Sequence, residues 1–193
     1  ETPNELDVYF NVAFVKNTLG FTVLAAYAEF GDYEDENADD YIVYVCADNK
    51  IRVVNFKDYD MEHVRTIDLT TRTQKFTEAN KITKIDRSEV DGAYKYYLGT
   101  NNGLIIVLTE IIDNPTVEVI GAFDKNFNST EEVTLISTDD LYVYVGGADG
   151  NISIVTTRTN AIKYLPSNFR YNDPIIAAKT IDEDHIVFIS KIA

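Results

Sequence analysis

Three stretches of this chain can be laid over one another: Tyr44-Val45-Cys46-Ala47-Asp48-Asn49-Lys50-Ile51-Arg52-Val53-Val54, Tyr97-Leu98-Gly99-Thr100-Asn101-Asn102-Gly103-Leu104-Ile105-Ile106-Val107, and Tyr144-Val145-Gly146-Gly147-Ala148-Asp149-Gly150-Asn151-Ile152-Ser153-Ile154-Val155. In each, an apolar run enters a short polar turn and a second apolar run leaves it. The turn residues Asp48-Asn49, Asn101-Asn102-Gly103 and Asp149-Gly150 tolerate the positive φ of a tight connection. Each stretch therefore predicts a β-hairpin. A fourth copy opens at Val187-Phe188-Ile189-Ser190. With Cys46, Gly99, Gly146 and Ser190 taken as equivalent, successive copies stand 53, 47 and 44 residues apart.

Outward from the hairpins the dominant signal is alternation with period two, in short runs rich in Val, Ile, Tyr and Thr. The middle unit predicts strands at 81–86, 94–100, 104–109 and 116–123, and the next at 133–138, 141–147, 152–157 and 161–165. Matching runs surround Cys46 at 21–27, 41–47, 51–56 and 63–69, and a further pair stands at 175–181 and 186–190. Near the start, Leu6, Val8, Phe10, Val12 and Phe14 share one face of another strand. No segment carries a helical period, so the fold class is all-β. A four-stranded antiparallel sheet of this size cannot bury both faces alone, whereas sheets stacked about an axis bury them against their neighbours. The spacing accordingly predicts a β-propeller-like array. Its blades fall at 21–69, 81–123 and 133–165, with the start of another at 175–193 and an extra strand within 1–20.

The same segments resemble WD40-type β-propeller repeats, in which an Asp-Gly or Asp-Asn turn is followed by an apolar-x-apolar strand. Asp48-Asn49-Lys50-Ile51-Arg52-Val53-Val54-Asn55 with Val64-Arg65-Thr66-Ile67 is the best match, and Asp149-Gly150-Asn151-Ile152-Ser153-Ile154-Val155-Thr156 the next. The pattern is degenerate. Where the family has Trp-Asp closing its third strand, this chain has Val54-Asn55, Val107-Leu108 and Val155-Thr156, and it holds no Trp. The family's Gly-His pair is also missing. The resemblance covers roughly 21–193 and implies the architecture; it transfers no functional residue.

Composition narrows the classes of function. The 193 residues include 17 basic and 32 acidic side chains, for a formal charge of −15, and are 45% hydrophobic and 12% aromatic. At this length about 70% of the unfolded surface disappears on folding, which excludes whole-chain disorder. An anionic surface repels nucleic acid at long range. No stretch approaches the ~20 apolar residues of a membrane span, and no basic segment leads into an apolar one at the start. A soluble chain with no membrane partner is expected. Cys46 lies in an apolar run and reads as a small buried hydrophobe, which favours a cytoplasmic or nuclear location over an oxidising one. The triplets Asn128-Ser129-Thr130 and Asn151-Ile152-Ser153 are glycosylation acceptors only if the chain is secreted. The chain opens on Glu1, not Met, and three units do not close a ring. The expectation is a truncated chain, or one whose propeller another chain completes.

Candidates for chemistry are few. The stretch from Gly31 to Asp40 carries six carboxylates: Asp32, Glu34, Asp35, Glu36, Asp39 and Asp40. Asp35, Asn37 and Asp39 begin like a calcium loop, but Asp40 stands where glycine is needed and Cys46 where a bidentate Glu belongs. A solvated interstrand loop that attracts a basic partner is the better reading. His63 and His185 have neither zinc-type spacing nor a nucleophile elbow, and Ser190, His185 and Asp184 do not form a triad on one strand face. Gly146, Gly147 and Gly150 read as turn residues, not as a phosphate cradle. Of the strand tyrosines Tyr41, Tyr44, Tyr94, Tyr96, Tyr97, Tyr142 and Tyr144, alternation predicts about half in the core, with the rest available for contacts.

These readings converge on a non-catalytic scaffold for protein interaction or assembly, with no cofactor and no metal. The acidic residues Asp32, Glu34, Asp35, Glu36, Asp39 and Asp40 are its candidate contact surface, and a partner with a basic face the expected occupant. The alternatives are a structural subunit of a virion, filament or surface layer, and an enzyme or small-ligand binder using a central channel.

Overall fold

The computed structural model describes residues 20–30, 39–57, 60–166, 172–182 and 185–191. The run at 6–14 and the carboxylates Asp32, Glu34, Asp35 and Glu36 lie outside the described residues. Within them the chain forms fourteen strands and one 3-10 turn, Leu69–Thr71, with no α-helix. The first sheet holds β1 (Val23–Glu29), β2 (Asp40–Cys46), β3 (Lys50–Lys57) and β4 (Asp60–Asp68). The second holds β5 (Ile82–Val90), β6 (Ala93–Thr100), β7 (Leu104–Thr109) and β8 (Thr116–Gly121). The third holds β9 (Val133–Thr138), β10 (Tyr142–Gly147), β11 (Ile152–Thr156) and β12 (Ile162–Tyr164), and a fourth pairs β13 (Ile175–Asp182) with β14 (His185–Ser190). Each is an antiparallel meander in chain order.

The sheets bury one another face to face. On β7, Ile106 belongs to a core shared with Val43, Val45, Ile51 and Val53 of the first sheet. Its neighbour Ile105 points the other way, into a core shared with Val143, Val145 and Val155 of the third. Leu135 and Ile152 of the third sheet meet Ile175 and Phe188 of the fourth. Period-two alternation along one strand thus serves two different cores. Full burial of each such side chain contributes about 1.5–3 kcal/mol. On β13 and β14 the opposite face is open: Ile181 is 65% and Ile189 53% exposed, beside Val187.

The three hairpins superpose, with one correction to the alignment read from the sequence. Val45 pairs with Ile51, Gly99 with Ile105 and Gly146 with Ile152, so each connection has the same length. The positive φ falls at the same place in each, 61° at Asn49, 75° at Gly103 and 82° at Gly150. Cys46 is therefore equivalent to Thr100 and Gly147, one position beyond Gly99 and Gly146. Ser190 keeps its equivalence to Cys46, because Cys46 pairs with Val23 as Ser190 pairs with Ile175. A slip of one residue exchanges the faces of a strand, so the corrected register decides which side chains share a core.

That register explains two features the sequence reading missed. Gly146 and Gly147 lie inside β10 and are not turn residues. A Cβ on Gly146 would stand 2.5 Å from Ile175 Cβ, and one on Gly99 would overlap the side chain of Val133. Both glycines make room for the first strand of the next sheet. The first strand of every sheet also carries a bulge near its start, at Leu24, Thr83, Thr134 and Ile176. The two threonines use it to join sheets. Thr83 Oγ1 donates to Val133 O at 2.7 Å, and Thr134 Oγ1 to Ile175 O at 2.7 Å.

Strand ends differ from expectation where polar residues alternate. β5 continues past Asp86 to Val90, because Asp91 (φ 53°) and Gly92 (φ 79°) form a two-residue turn that pairs Val90 with Ala93. β4 stops at Asp68, whose carboxylate accepts from Thr70 N at 3.0 Å and caps the short turn that buries Leu69.

Candidate functional site

Antiparallel pairing brings one set of connections to a common rim. Glu29 faces Tyr41 across β1 and β2, Val90 faces Ala93 across β5 and β6, and Thr109 faces Thr116 across β7 and β8. The ends of the first sheet's opening hairpin thus meet two connections of the second. Between them lies a cavity of about 370 Å³ lined by Glu29, Phe30, Asp39, Tyr41, Gly92, Ala93, Tyr94 and the run Glu110 to Asp113. Its walls are aromatic and aliphatic, and Phe30 at the mouth is 70% exposed. Carboxylates come from two separate connections: Glu29 and Asp39 from the one between β1 and β2, Glu110 and Asp113 from the loop after β7. Glu110 holds φ 52°, and its carbonyl accepts from Asn114 N at 3.1 Å, which fixes that loop.

A cationic layer lies next to this pocket. The Arg87 guanidinium sits 4.1 Å from the centre of the Tyr94 ring and 5.1 Å from that of Tyr27. It also donates to Ala28 O at 2.6 Å, tying the second sheet to the first. One face of Tyr94 already serves as a platform for a cation. Beside it, the buried Tyr96 hydroxyl donates to Glu29 Oε1. Burial raises the Glu29 carboxyl above its ordinary pKa, against the lowering effects of Tyr96 and Arg87. Burial also raises the Tyr41 phenol, and the negative charges of Asp39 and Asp113 push it further in the same direction.

Of the acidic residues singled out in the sequence, Asp39 lines the pocket and Asp40 opens β2. Asp32, Glu34, Asp35 and Glu36 lie outside the described residues. Glu29, Glu110 and Asp113 were not singled out, because Glu29 belongs to one repeat and Glu110 and Asp113 to the next, and only the stacking of sheets brings the two sets together. Tyr44, Tyr96, Tyr97 and Tyr144 are buried, Tyr41 and Tyr94 are half-buried, and Tyr142 is 39% exposed.

The remaining candidates have structural surroundings. His63 Nε2 lies 2.8 Å from Thr66 Oγ1, and His185 Nδ1 lies 2.6 Å from Asp182 Oδ1. His185 and Ser190 stand at opposite ends of β14. Cys46 is fully buried, and burial raises its thiol above the ordinary value, which disfavours the reactive thiolate. Among the described residues no group of three or more His, Cys, Asp or Glu side chains could hold a metal ion.

The sheets, their order and their stacking define a WD40-like β-propeller fold, with three four-stranded blades and one further strand pair among the described residues. The solved structures bear this out. The WD40 domain of SCAP from fission yeast matches with a TM-score of 0.58 at 14% identity, over 80% of this chain and 34% of that one. The complex of the fission yeast SREBP-SCAP binding domains matches with a TM-score of 0.56 at 13% identity, over 80% of this chain and 40% of that one. The chain thus spans little more than a third of the structures it resembles. No protein-family model and no curated protein matches it.

Proposed function

We propose that this chain is a non-catalytic scaffold on which a protein partner with a basic surface assembles. The observation that carries the reading is the acidic rim built across two blades, on a chain of formal charge −15. The fold supports it: a similar structure, SCAP of fission yeast, was solved as a complex of the SREBP-SCAP binding domains. Rigid sheets holding loops of free sequence suit recognition by shape and charge, and like-signed rim charges speed encounter with a cationic surface. The carboxylates Asp32, Glu34, Asp35, Glu36 and Asp39, between β1 and β2, and Asp40 at the start of β2 belong to this reading as contact residues.

The test is to immobilise the full chain and pass its source lysate over it at low and high ionic strength. The reading expects specific retention of a basic protein that weakens as salt rises. Retention of only acidic or neutral proteins, or turnover of a sugar or peptide library by the purified chain, contradicts it. A second reading, assembly with copies of itself or with another sheet-forming chain, is favoured by the open apolar face around Ile181, Val187 and Ile189. Size exclusion of the purified chain over a range of concentrations separates self-assembly from the first reading, since self-assembly alone predicts growth with concentration.

A further inference from the structure

We infer that the pocket between the first and second sheets receives a lysine or arginine side chain from a basic segment of the partner. This rests on the proposed function and names its point of contact. Carboxylates alone would mark no more than a solvated rim. Here they edge an apolar receptacle formed by Phe30, Tyr41, Tyr94, Ile111 and Ile112. Such a lining suits a side chain that is apolar along its stem and charged at its tip. The aliphatic stem lies along the isoleucine and tyrosine walls while the cationic head meets Glu110 and Asp113. Both carboxylates are exposed, whereas Glu29 is buried at 8% exposure and already accepts from Tyr96.

Size and charge exclude other occupants. At about 370 Å³ the cavity lies at the small end of the ~300–1,000 Å³ of ligand pockets, which suits one or two side chains of a peptide. An anion would face Asp39, Glu110 and Asp113 with no cation among the lining residues. A wholly apolar side chain would leave those carboxylates partly desolvated without compensation. The Arg87 guanidinium, packed against Tyr94 from the protein's own side, shows that this wall accommodates a cation.

The experiment titrates the isotope-labelled full chain with a short capped peptide of alternating lysine and leucine, followed by methyl resonances. The Ile111 and Ile112 methyls are expected to shift saturably, and a peptide with norleucine in place of lysine to leave them unmoved. The double variant Glu110→Gln/Asp113→Asn is expected to weaken the lysine peptide about fivefold. The double variant Glu89→Gln/Asp140→Asn removes the same charge from a different cleft, beside Asp91 and Arg158, and is expected to change affinity less than about twofold. Shifts that map away from Ile111 and Ile112, equal weakening by both variants, or equal binding of the norleucine peptide overturn the pocket. In the first two cases the broader reading of a basic partner survives. Failure of the lysine peptide to bind anywhere also overturns the pocket, and the broader reading then stands or falls on the retention of a basic protein. Retained dispersion in the amide spectrum of each variant shows that it is folded.

Discussion

Gly99→Val is expected to lower the unfolding free energy by about 2–3 kcal/mol, and the melting temperature by roughly 5–10 °C. Gly99 sits in β6 with no positive φ, and valine is a good strand former, so the substitution would be neutral or stabilising in an isolated sheet. The predicted sign comes entirely from the adjoining sheet. A Cβ at this position overlaps Val133 and lies 3.1 Å from Ile136 Cγ1, both on the first strand of the third sheet. In a close-packed interior that volume has nowhere to go. Urea denaturation of Gly99→Val, Val133→Ala and the double variant forms a cycle. The account expects the second change to recover part of the loss caused by the first. Independent, additive effects would show that the two strands do not touch.

Asp139→Asn should cost about 2–3 kcal/mol near neutral pH and much less in acid. One carboxylate oxygen accepts from Leu141 N at 2.9 Å and Tyr142 N at 2.7 Å. The other accepts from the Tyr144 hydroxyl at 2.6 Å and from Thr180 Oγ1 at 2.8 Å. An asparagine keeps one acceptor and turns an amino group toward donors. Burial acts to raise the Asp139 pKa, but the donations from Tyr144, Thr180, Leu141 and Tyr142 outweigh it and hold the group below its ordinary value. Because the folded state holds this proton less tightly than the unfolded chain, the stabilisation is present above the unfolded value, near 3.9. It is lost as pH falls through the folded value. Denaturation curves for both proteins across that range should converge on the acid side. A deficit independent of pH would mean that the ionised carboxylate is not what matters. Thr180 lies on β13, so the same residue ties the third sheet to the fourth.

The blades were legible because their hairpins repeat, and the period exceeds what one strand pair needs. Gly103 and Gly150, with Asn49, announced the turns correctly. The alignment slipped by one because Gly99 and Gly146 look like natural partners for Cys46, whereas pairing across the turn aligns them with Val45. The sequence carries a second periodic signal: Ile82-Thr83-Lys84-Ile85 and Val133-Thr134-Leu135-Ile136 place a threonine at the same bulge. Its meaning depends on a carbonyl of the next sheet, which no local pattern displays. The end of β5 was missed because Arg87, Ser88 and Glu89 carry too little apolar signal, although Asp91-Gly92 marks the turn.

The candidate site was legible only in part, for a related reason. Asp39, Tyr41 and Tyr94 stood out through acidity and aromatic content. Glu29, Glu110 and Asp113 look like ordinary surface carboxylates until two sheets bring them to one rim. Spacing along a chain reports which residues share a face of one sheet. It does not report which loops of neighbouring sheets converge.

The account stands on sheets that shield each other from water on both faces, and Ile105 and Ile106 test it most directly. Methyl-to-methyl Overhauser contacts should join Ile106 to valines of the first sheet, among them Val43, Val45 and Val53, and Ile105 to Val143, Val145 and Val155 of the third. Contacts from both isoleucines to a single sheet, or a solvent-exposed methyl on either one, would contradict a stack of blades.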